Sequence, residues 1–236
     1  MPSFYIDFHE RSTEVKVVGD EYHHIVKVFR HGIGDDILIV NGQGLLATGK
    51  IVDVDKKAVV LGLSGIKYVK RAEQRVACAF SLLKNKNDLL IVEKLTELGV
   101  NDLFPIQTIN SVKLGRENTV DKMRKVAISA MKQCDNPWLP QIHEVMNLEK
   151  LLKTLKGLDY KPVVASELRP DMSMGTWVRE HPVVNVCAII GCEGGFEPRE
   201  FEFMESNGVV AVKVSNNVLR AETAAICAVA QLTVGS

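Results

Sequence analysis

Residues 184–200 read VNVCAIIGCEGGFEPRE, an apolar run that passes directly into a glycine-rich turn. The run Val184–Ile190 is typical of a strand buried on both faces of a parallel sheet. Three glycines in the next five residues permit positive φ and a close approach of the backbone to a ligand. The turn is therefore a candidate ligand loop, although an ordinary strand–helix turn explains the same residues. It is neither a Walker A loop nor a dinucleotide fingerprint, because GK[ST] and GxGxxG are absent.

The chain on either side of this strand, from Arg75 onward, alternates β-prone and helical segments. Such alternation favours an α/β domain with a parallel sheet covered by helices. We predict strands at 76–82, 103–108, 163–166, 184–190 and 209–214, and helices at 88–98, 120–133, 148–156, 200–206 and 221–232, with Trp177 in a further short helix.

The N-terminal part is β-rich instead. Short β-prone runs at 36–40, 46–54 and 58–64 are separated by turn residues, of which Gly42-Gln43-Gly44 is typical of a hairpin. One helix is predicted from Asp20 to about Arg30. This pattern predicts a small barrel, followed by a basic linker at Ile66–Gln74.

Two further strand ends carry polar residues. Ligands of open α/β sheets bind beyond the carboxyl ends of the strands. The first such end is VVASE at 163–167, and the second is VSNNVLRAETA at 214–224. Arg220 and Glu222 at the second end fit either a surface ion pair or a group that binds and orients a ligand. The three loops form one site if their strands are neighbours.

Composition excludes several classes of protein. Of the 236 residues 46% are hydrophobic, which is enough for a folded core, and the apolar runs are far shorter than the roughly 20 residues of a membrane span. The five cysteines are widely spaced without CxxC, and the six histidines form no HExxH, so we expect a reducing cytosol and no metal site. The start, MPSFYIDFHER, lacks an apolar export signal. The net charge is zero, and the basic clusters at 67–75 and 113–132 fit either RNA contacts or solvated helix faces.

Five segments resemble one known family, the RsmE methyltransferases. IGCEGGFEPRE is similar to the family's IGPEGG-F-x-x-x-E, and VSNNVLRAETAA is similar to LGxRILRxETA. VEKLTELGV resembles QKxTELGV, and VDKMRKVAISAMKQC resembles a helix ending in EQ(C/S). HHIVKVFRHGIGDDILIVNGQG resembles H-x-x-VLR-x-x-x-GD-x-x-x-x-x-DG. The order and spacing of these motifs agree over most of the chain.

The resemblance implies a fold and an activity. It implies a PUA-like β-barrel at 1–70 that helps dock RNA and a SPOUT α/β domain at 71–236 with a deep trefoil knot, a rare exception to unknotted topology. It also implies a cytoplasmic homodimer that uses S-adenosyl-L-methionine (SAM) to methylate N3 of a uridine in 16S small-subunit ribosomal RNA. The expected partner is this RNA or the assembling 30S particle.

The resemblance also implies roles for individual residues. The expected catalytic residues are Arg220, which would stabilise charge on a uracil oxygen, and Glu222 or Glu193, which would handle the N3 proton. The expected SAM-binding residues are Ser166, Glu167, Leu168, Ile190, Gly191, Cys192, Glu193, Gly194, Gly195, Val214, Ser215, Asn217, Leu219 and Thr223. The expected RNA-binding residues are Arg30, Lys70, Arg71, Lys94, Lys113 and Lys132.

Several positions depart from the family pattern. Cys192 stands where proline is usual, and Ser215-Asn216-Asn217 replaces Gly-x-Arg. Asp135-Asn136 and Ile109-Asn110-Ser111 also lack charges that are common there. These losses leave open a noncatalytic RNA-binding or ribosome-assembly factor on the same fold. A SPOUT methyltransferase acting on another RNA, such as tRNA, and a nucleotide-dependent oxidoreductase are two competing hypotheses.

Overall fold

The computed structural model describes residues 3–167, 170–182 and 184–234. The chain divides into two compact units. One contains the chain up to Arg71 together with Ile128–Leu139, and the other contains Ala72–Ala127 and the chain from Pro140 onward. The domain bounds 1–70 and 71–236 stay a prediction. No helix in the described part of the chain has the length and apolar character that crossing a membrane requires.

The N-terminal unit is built on one five-stranded sheet, with strands in the order β1-β3-β4-β5-β2. Its core consists of apolar side chains from the sheet and from one helix, including Ile25, Ile39, Ile51 and Leu61. The strands are β1 (Phe4–Tyr5), β2 (Glu14–Val18), β3 (Asp36–Val40), β4 (Leu45–Val54) and β5 (Ala58–Tyr68), and helix α1 (Gly19–Tyr22) continues as a π-helical segment (His23–Val28).

The predicted small β-rich N-terminal domain and its single helix are confirmed, but the predicted bounds of the linker are wrong. The helix ends at Val28, and Arg30 takes the left-handed conformation with φ of 59°, which a helix does not continue through. The linker predicted at Ile66–Gln74 begins later, because Lys67 and Tyr68 pair with the first residues of β4 and extend β5. Strands β1 and β2 were not predicted.

Gly44 lies in the predicted hairpin turn, which joins the antiparallel strands β3 and β4. Asn41 Oδ1 closes the turn by accepting the N–H groups of Gln43 at 2.8 Å and Leu45 at 2.9 Å. Gly44 has φ of 95°, and a Cβ built there would overlap the ring of Trp138. The turn therefore requires glycine for its conformation and for the close approach of the indole.

Replacing Gly44 with alanine is expected to destabilise the protein more than the same change at Gly65. Both glycines have positive φ, but a Cβ at Gly65 would meet nothing within 4 Å. The difference should be about 1–3 kcal/mol, the usual cost of overpacking. Urea unfolding of the two variants measures it. Equal destabilisation would mean that Trp138 moves aside without cost.

The second unit is an α/β domain with a seven-stranded parallel sheet, in the order β10-β12-β9-β11-β6-β7-β8. The predicted class is confirmed, and the central strands are buried on both faces, as the apolar run at 184–190 predicts. Its strands are β6 (Val76–Ser81), β7 (Asp102–Ile106), β8 (Gln141–Ile142), β9 (Lys161–Ala165), β10 (Met172–Ser173), β11 (Val186–Ile190) and β12 (Val210–Lys213). The helices are α2 (Asn87–Glu97), α3 (Thr119–Gln133), α4 (Leu148–Gly157), α5 (Met174–Glu180), α6 (Pro198–Ser206) and α7 (Ala221–Val234).

A buried polar cluster centred on Asp102 lies at the start of β7. Asp102 accepts hydrogen bonds from the Tyr160 hydroxyl at 2.5 Å and from His143 Nε2 at 2.8 Å, while Arg75 lies over the Tyr160 ring. Burial raises the pKa of Asp102, but the hydrogen bonds from His143 and Tyr160 outweigh it, so the pKa is lowered overall. The cluster therefore favours the carboxylate in the folded state.

The lowered pKa of Asp102 predicts a stability that depends on pH. A carboxyl whose pKa is lower in the folded state stabilises the fold above its unfolded pKa of about 4, and this contribution is lost as the pH falls through the folded pKa. Asp102→Asn should be less stable than the wild type at pH 7 by about 1–3 kcal/mol. Its stability should also change less between pH 5 and pH 3, as denaturant titrations would measure. If the stabilities of the variant and the wild type change equally with pH, the lowered pKa of Asp102 is contradicted.

Candidate active site

The carboxyl ends of three neighbouring strands form one cavity. Strand β9 lies between β12 and β11, so the loops that follow all three meet at one edge of the sheet. They line a cavity of about 610 Å³ together with helix α6. The sequence predicts one shared site if the three strands are neighbours, and the strand order β12-β9-β11 shows that they are. The lining residues are Ala165, Ser166, Glu167, Ile190, Gly191, Cys192, Glu193, Gly194, Gly195, Phe196, Pro198, Phe201, Glu202, Glu205, Val214, Ser215, Asn217, Val218, Leu219, Arg220, Ala221 and Ala224.

The glycine-rich loop after β11 is held by a close contact with the loop after β7. Asn110 donates a hydrogen bond from Nδ2 to the carbonyl of Gly194 at 3.1 Å. A Cβ on Gly194 would lie 3.2 Å from the Asn110 Cβ, so glycine permits this approach. Within the loop, the N–H of Gly195 donates to the carbonyl of Cys192 at 2.9 Å. The buried Cys192 side chain thus lies inside the turn that shapes one wall of the cavity.

Glu200 ties the same two loops together from helix α6. Its Oε2 accepts the N–H of Glu197 at 3.0 Å, which caps the start of the helix. Its Oε1 accepts the N–H of Ile109 at 2.9 Å, although the two residues are 91 positions apart. The side chain is only 9% exposed. Glu200 therefore positions the glycine-rich loop and the loop after β7 relative to each other.

The cavity wall is acidic. It carries Glu167, Glu193, Glu202 and Glu205, whereas Arg220 is the only cation among the lining residues that the structure describes. The Arg220 side chain is exposed, and its guanidinium has no hydrogen bond or ion pair within the described part of the chain. Its charge is therefore available to a bound ligand.

Two family models match the chain, a PUA domain of RNA methyltransferases over residues 19–64 and an RNA methyltransferase domain over residues 70–233. The second covers most of the chain. The chain belongs to the RNA methyltransferase family. The predicted recognition, the α/β class and the PUA-like N-terminal domain are confirmed, while the trefoil knot and the homodimer stay predictions.

Named relatives of this family match along almost their whole length. A protein of Buchnera aphidicola subsp. Acyrthosiphon pisum named Ribosomal RNA small subunit methyltransferase E is 26% identical, over 98% of this chain and 92% of its own. The Bacillus subtilis protein of that name is 27% identical, over 95% and 91%.

Solved structures share the fold. A probable rRNA-methyltransferase from Porphyromonas gingivalis superposes with a TM-score of 0.83 at 26% identity, over 98% of this chain and 96% of that one. A Ribosomal RNA small subunit methyltransferase E from Neisseria gonorrhoeae, bound to S-adenosyl methionine, superposes with a TM-score of 0.88 at 20% identity, over 98% and 95%.

Most residues that the sequence predicts for the RNA methyltransferase site lie at the cavity. Arg220 and Glu193 line it, as do the predicted SAM-binding residues except two. Thr223 is exposed and outside the lining, and Leu168 lies outside the described residues. Glu222 is also outside the lining, because its Oε1 accepts a hydrogen bond from Asn87 at 3.1 Å and its side chain is buried. The roles of these residues stay predictions.

The predicted catalytic and SAM-binding residues include none from α6 or from the loop after β7. Helix α6 contributes Phe201, Glu202 and Glu205 to the cavity lining. Their spacing places them on one face of the helix, and the amphipathic pattern of 200–206 is the signal that could have indicated this face. Glu200 is the final residue of the IGCEGGFEPRE motif, and its place three residues after Glu197 is the signal of a capping box. The segment Ile109-Asn110-Ser111 departs from the family pattern, but no local pattern predicts the contact of Asn110 with Gly194, because the two residues are distant in sequence.

The residues predicted to bind RNA differ in their surroundings. Three of the six are paired with carboxylates: Lys94 with Glu93 and Glu97, Lys113 with the buried Asp88, and Lys132 with Glu21. Arg71 lies over the ring of Trp138 at 4.6 Å, while Arg30 and Lys70 are exposed. No cluster of three or more metal-binding side chains occurs within the described residues.

Proposed function

We propose that this chain transfers a methyl group from SAM to N3 of a uridine in 16S small-subunit ribosomal RNA. The observation that supports it most is the acidic cavity formed by the ends of β9, β11 and β12. The names of the relatives supply the substrate class, and the Neisseria gonorrhoeae structure supplies the cofactor.

The cavity residues fit SAM in size and charge. A volume of about 610 Å³ lies within the usual range of small-molecule sites, roughly 300–1,000 Å³. SAM carries a sulfonium and an ammonium group, and the four lining carboxylates complement these positive charges. Backbone groups of Gly191, Glu193, Gly195, Val214 and Leu219 would hold its adenosine and methionine parts. Bound SAM supplies a methyl carbon activated by the sulfonium.

The protein must align the uracil nitrogen and remove its proton. Methyl transfer would form the bond between N3 and the methyl carbon and break the bond between that carbon and sulfur, with S-adenosylhomocysteine as the leaving group, while the N3 proton would pass to a base or to solvent. In our proposal the Arg220 guanidinium stabilises negative charge on a uracil oxygen, and Glu193, which is exposed at the cavity, accepts the proton. Glu222 is the second candidate for proton handling, and its hydrogen bond with Asn87 supports a positioning role for it at the start of α7.

Calorimetric titration with SAM and S-adenosylhomocysteine tests the cofactor proposal. Micromolar binding of both is the expected result. The purified protein is then incubated with SAM and small-subunit RNA from a strain that lacks the modification, either free or as 30S particles. Mass spectrometry of digested RNA should show a new N3-methyluridine. Binding of RNA without affinity for SAM would favour the noncatalytic assembly factor, and methylation of tRNA alone would change the substrate.

Assembly and cellular location follow from the same family resemblance. We propose a homodimer that acts on ribosomal RNA in the cytoplasm. Light scattering of the purified protein measures its mass, and a monomer at working concentration would contradict the dimer. Cell fractionation with an antibody to the chain checks its location.

A further inference from the structure

A second cavity lies in the N-terminal unit, and the activity proposed above gives it no role. Its volume is about 410 Å³. The ends of β3, β4 and β5 and the segment after β1 supply its walls. We name it the aromatic cleft, and its lining residues are Phe8, His9, Glu10, Arg11, Asn41, Gln43, Leu45 and Tyr68.

Tyr68 presents an exposed aromatic ring at this cleft. It is 58% exposed, although it is the last residue of β5 and pairs with Leu45 of β4. The Trp138 ring meets it edge-on at 5.7 Å, and Trp138 is itself fixed by a hydrogen bond from its Nε1 to the carbonyl of Val69 at 2.9 Å. The contact with Trp138 thus holds the Tyr68 ring on one side, and the exposed part of the ring offers a surface on which a planar ligand can stack.

Of the two side-chain amides that line the cleft, one stabilises the fold and the other is available to a ligand. Asn41 is buried and its amide serves the fold, since Oδ1 accepts two N–H groups and Nδ2 donates to the carbonyl of Phe8. Gln43 is exposed, and its side chain has no hydrogen-bond partner within the described residues. Its amide is therefore free to pair with a ligand edge.

One arginine and one glutamate line the cleft. Arg11 lines the cleft and has no ion-pair partner in the part of the chain that the structure describes. Lys70 follows Tyr68 by two residues, and the Arg71 guanidinium lies over Trp138. Glu10 is the one carboxylate among the lining residues described.

We propose that the aromatic cleft binds one unpaired nucleotide of the RNA substrate. Unpaired bases stack on exposed aromatic rings and are read at their edges by polar side chains, while cations contact the phosphates. The base stacks on Tyr68, Gln43 pairs with its edge, and Arg11 contacts an adjacent phosphate. This inference rests on the proposed function, because it gives the RNA of that reaction a second point of attachment.

Fluorescence anisotropy with a labelled single-stranded segment of small-subunit RNA tests the cleft. Tyr68→Ala should weaken binding about tenfold, since stacking on one ring is typically worth that much or more, whereas Tyr68→Phe should retain it. Arg11→Ala should weaken binding and reduce its salt dependence. Val18→Ala is the control, because Val18 is 60% exposed but lies opposite Ala58 at the other end of β5.

The outcomes separate this inference from the proposed function. If it is correct, Tyr68→Ala keeps wild-type affinity for SAM and raises the KM for RNA with little change in kcat. If both Tyr68→Ala and Arg11→Ala bind RNA with wild-type affinity, the cleft proposal is overturned, regardless of the rate of methyl transfer. If the wild type does not bind SAM, the methyltransferase proposal is overturned. The RNA affinities of the variants still test the cleft, because they are measured without SAM. If Tyr68→Ala melts early, Arg11→Ala and Gln43→Ala carry the test.

Discussion

Arg220→Ala lowers methyl transfer at saturating SAM and RNA at least about tenfold, ~1.4 kcal/mol of activation free energy, if the proposed function is correct. Arg220 is the only cation among the described cavity residues, and its guanidinium has no partner in the described part of the chain. The uracil oxygens gain negative charge as N3 loses its proton, and the guanidinium stabilises that charge. Single-turnover measurement of tritium transfer from labelled SAM reports the loss directly.

The control variant for this experiment is Arg220→Lys. It keeps the charge but loses the planar fork of donors, so an intermediate rate is expected. The rate of Arg220→Ala should also rise more steeply with pH than that of the wild type, because without the guanidinium the reactive uracil anion forms only as the pH of the solution rises. SAM affinity should stay close to the wild-type value in both variants. Full turnover of Arg220→Ala would remove Arg220 from the mechanism, and a loss of SAM affinity would make it a cofactor ligand instead.

The sequence predicted the parts of the site that are continuous along the chain. The apolar run at 184–190 and the glycines after it indicate a buried strand and a ligand loop, because burial and backbone freedom are local properties of these residues. The segment at 214–224 is predicted in the same way. The short strands β1, β8 and β10 were missed because each has two residues and exists only through its partner.

Contacts between distant residues could not be predicted from one sequence. The order β12-β9-β11 decides that three loops share a cavity, and no local pattern contains it. Glu222 illustrates the consequence: its motif predicts a catalytic role, but its carboxylate accepts a hydrogen bond from Asn87, 135 positions earlier. Likewise, Trp138 packs on Gly44 and belongs to the N-terminal unit although it follows helix α3.

Glu200→Ala is expected to weaken SAM binding at least tenfold and to destabilise the protein by about 1–2 kcal/mol, since loss of a helix cap costs roughly 0.5–2 kcal/mol and both hydrogen bonds of Glu200 are part-buried. The substitution leaves the N–H groups of Glu197 and Ile109 without their acceptor. The start of α6 and the loop after β7 then lose their shared anchor, and the hydrogen bond from Asn110 to Gly194 remains.

Three further variants show whether this anchor acts on the cavity or only on the fold. Glu200→Gln keeps one acceptor oxygen and should lose less affinity, and Asn110→Ala should lose less again because its hydrogen bond is exposed. Arg199→Ala is the neutral control, since Arg199 is exposed and outside the cavity lining. Calorimetry gives the Kd for SAM, and urea unfolding gives the stability. A Glu200→Ala protein that unfolds early but binds SAM like the wild type would show that Glu200 supports the fold alone, because positioning of the cavity loops requires the two losses to occur together.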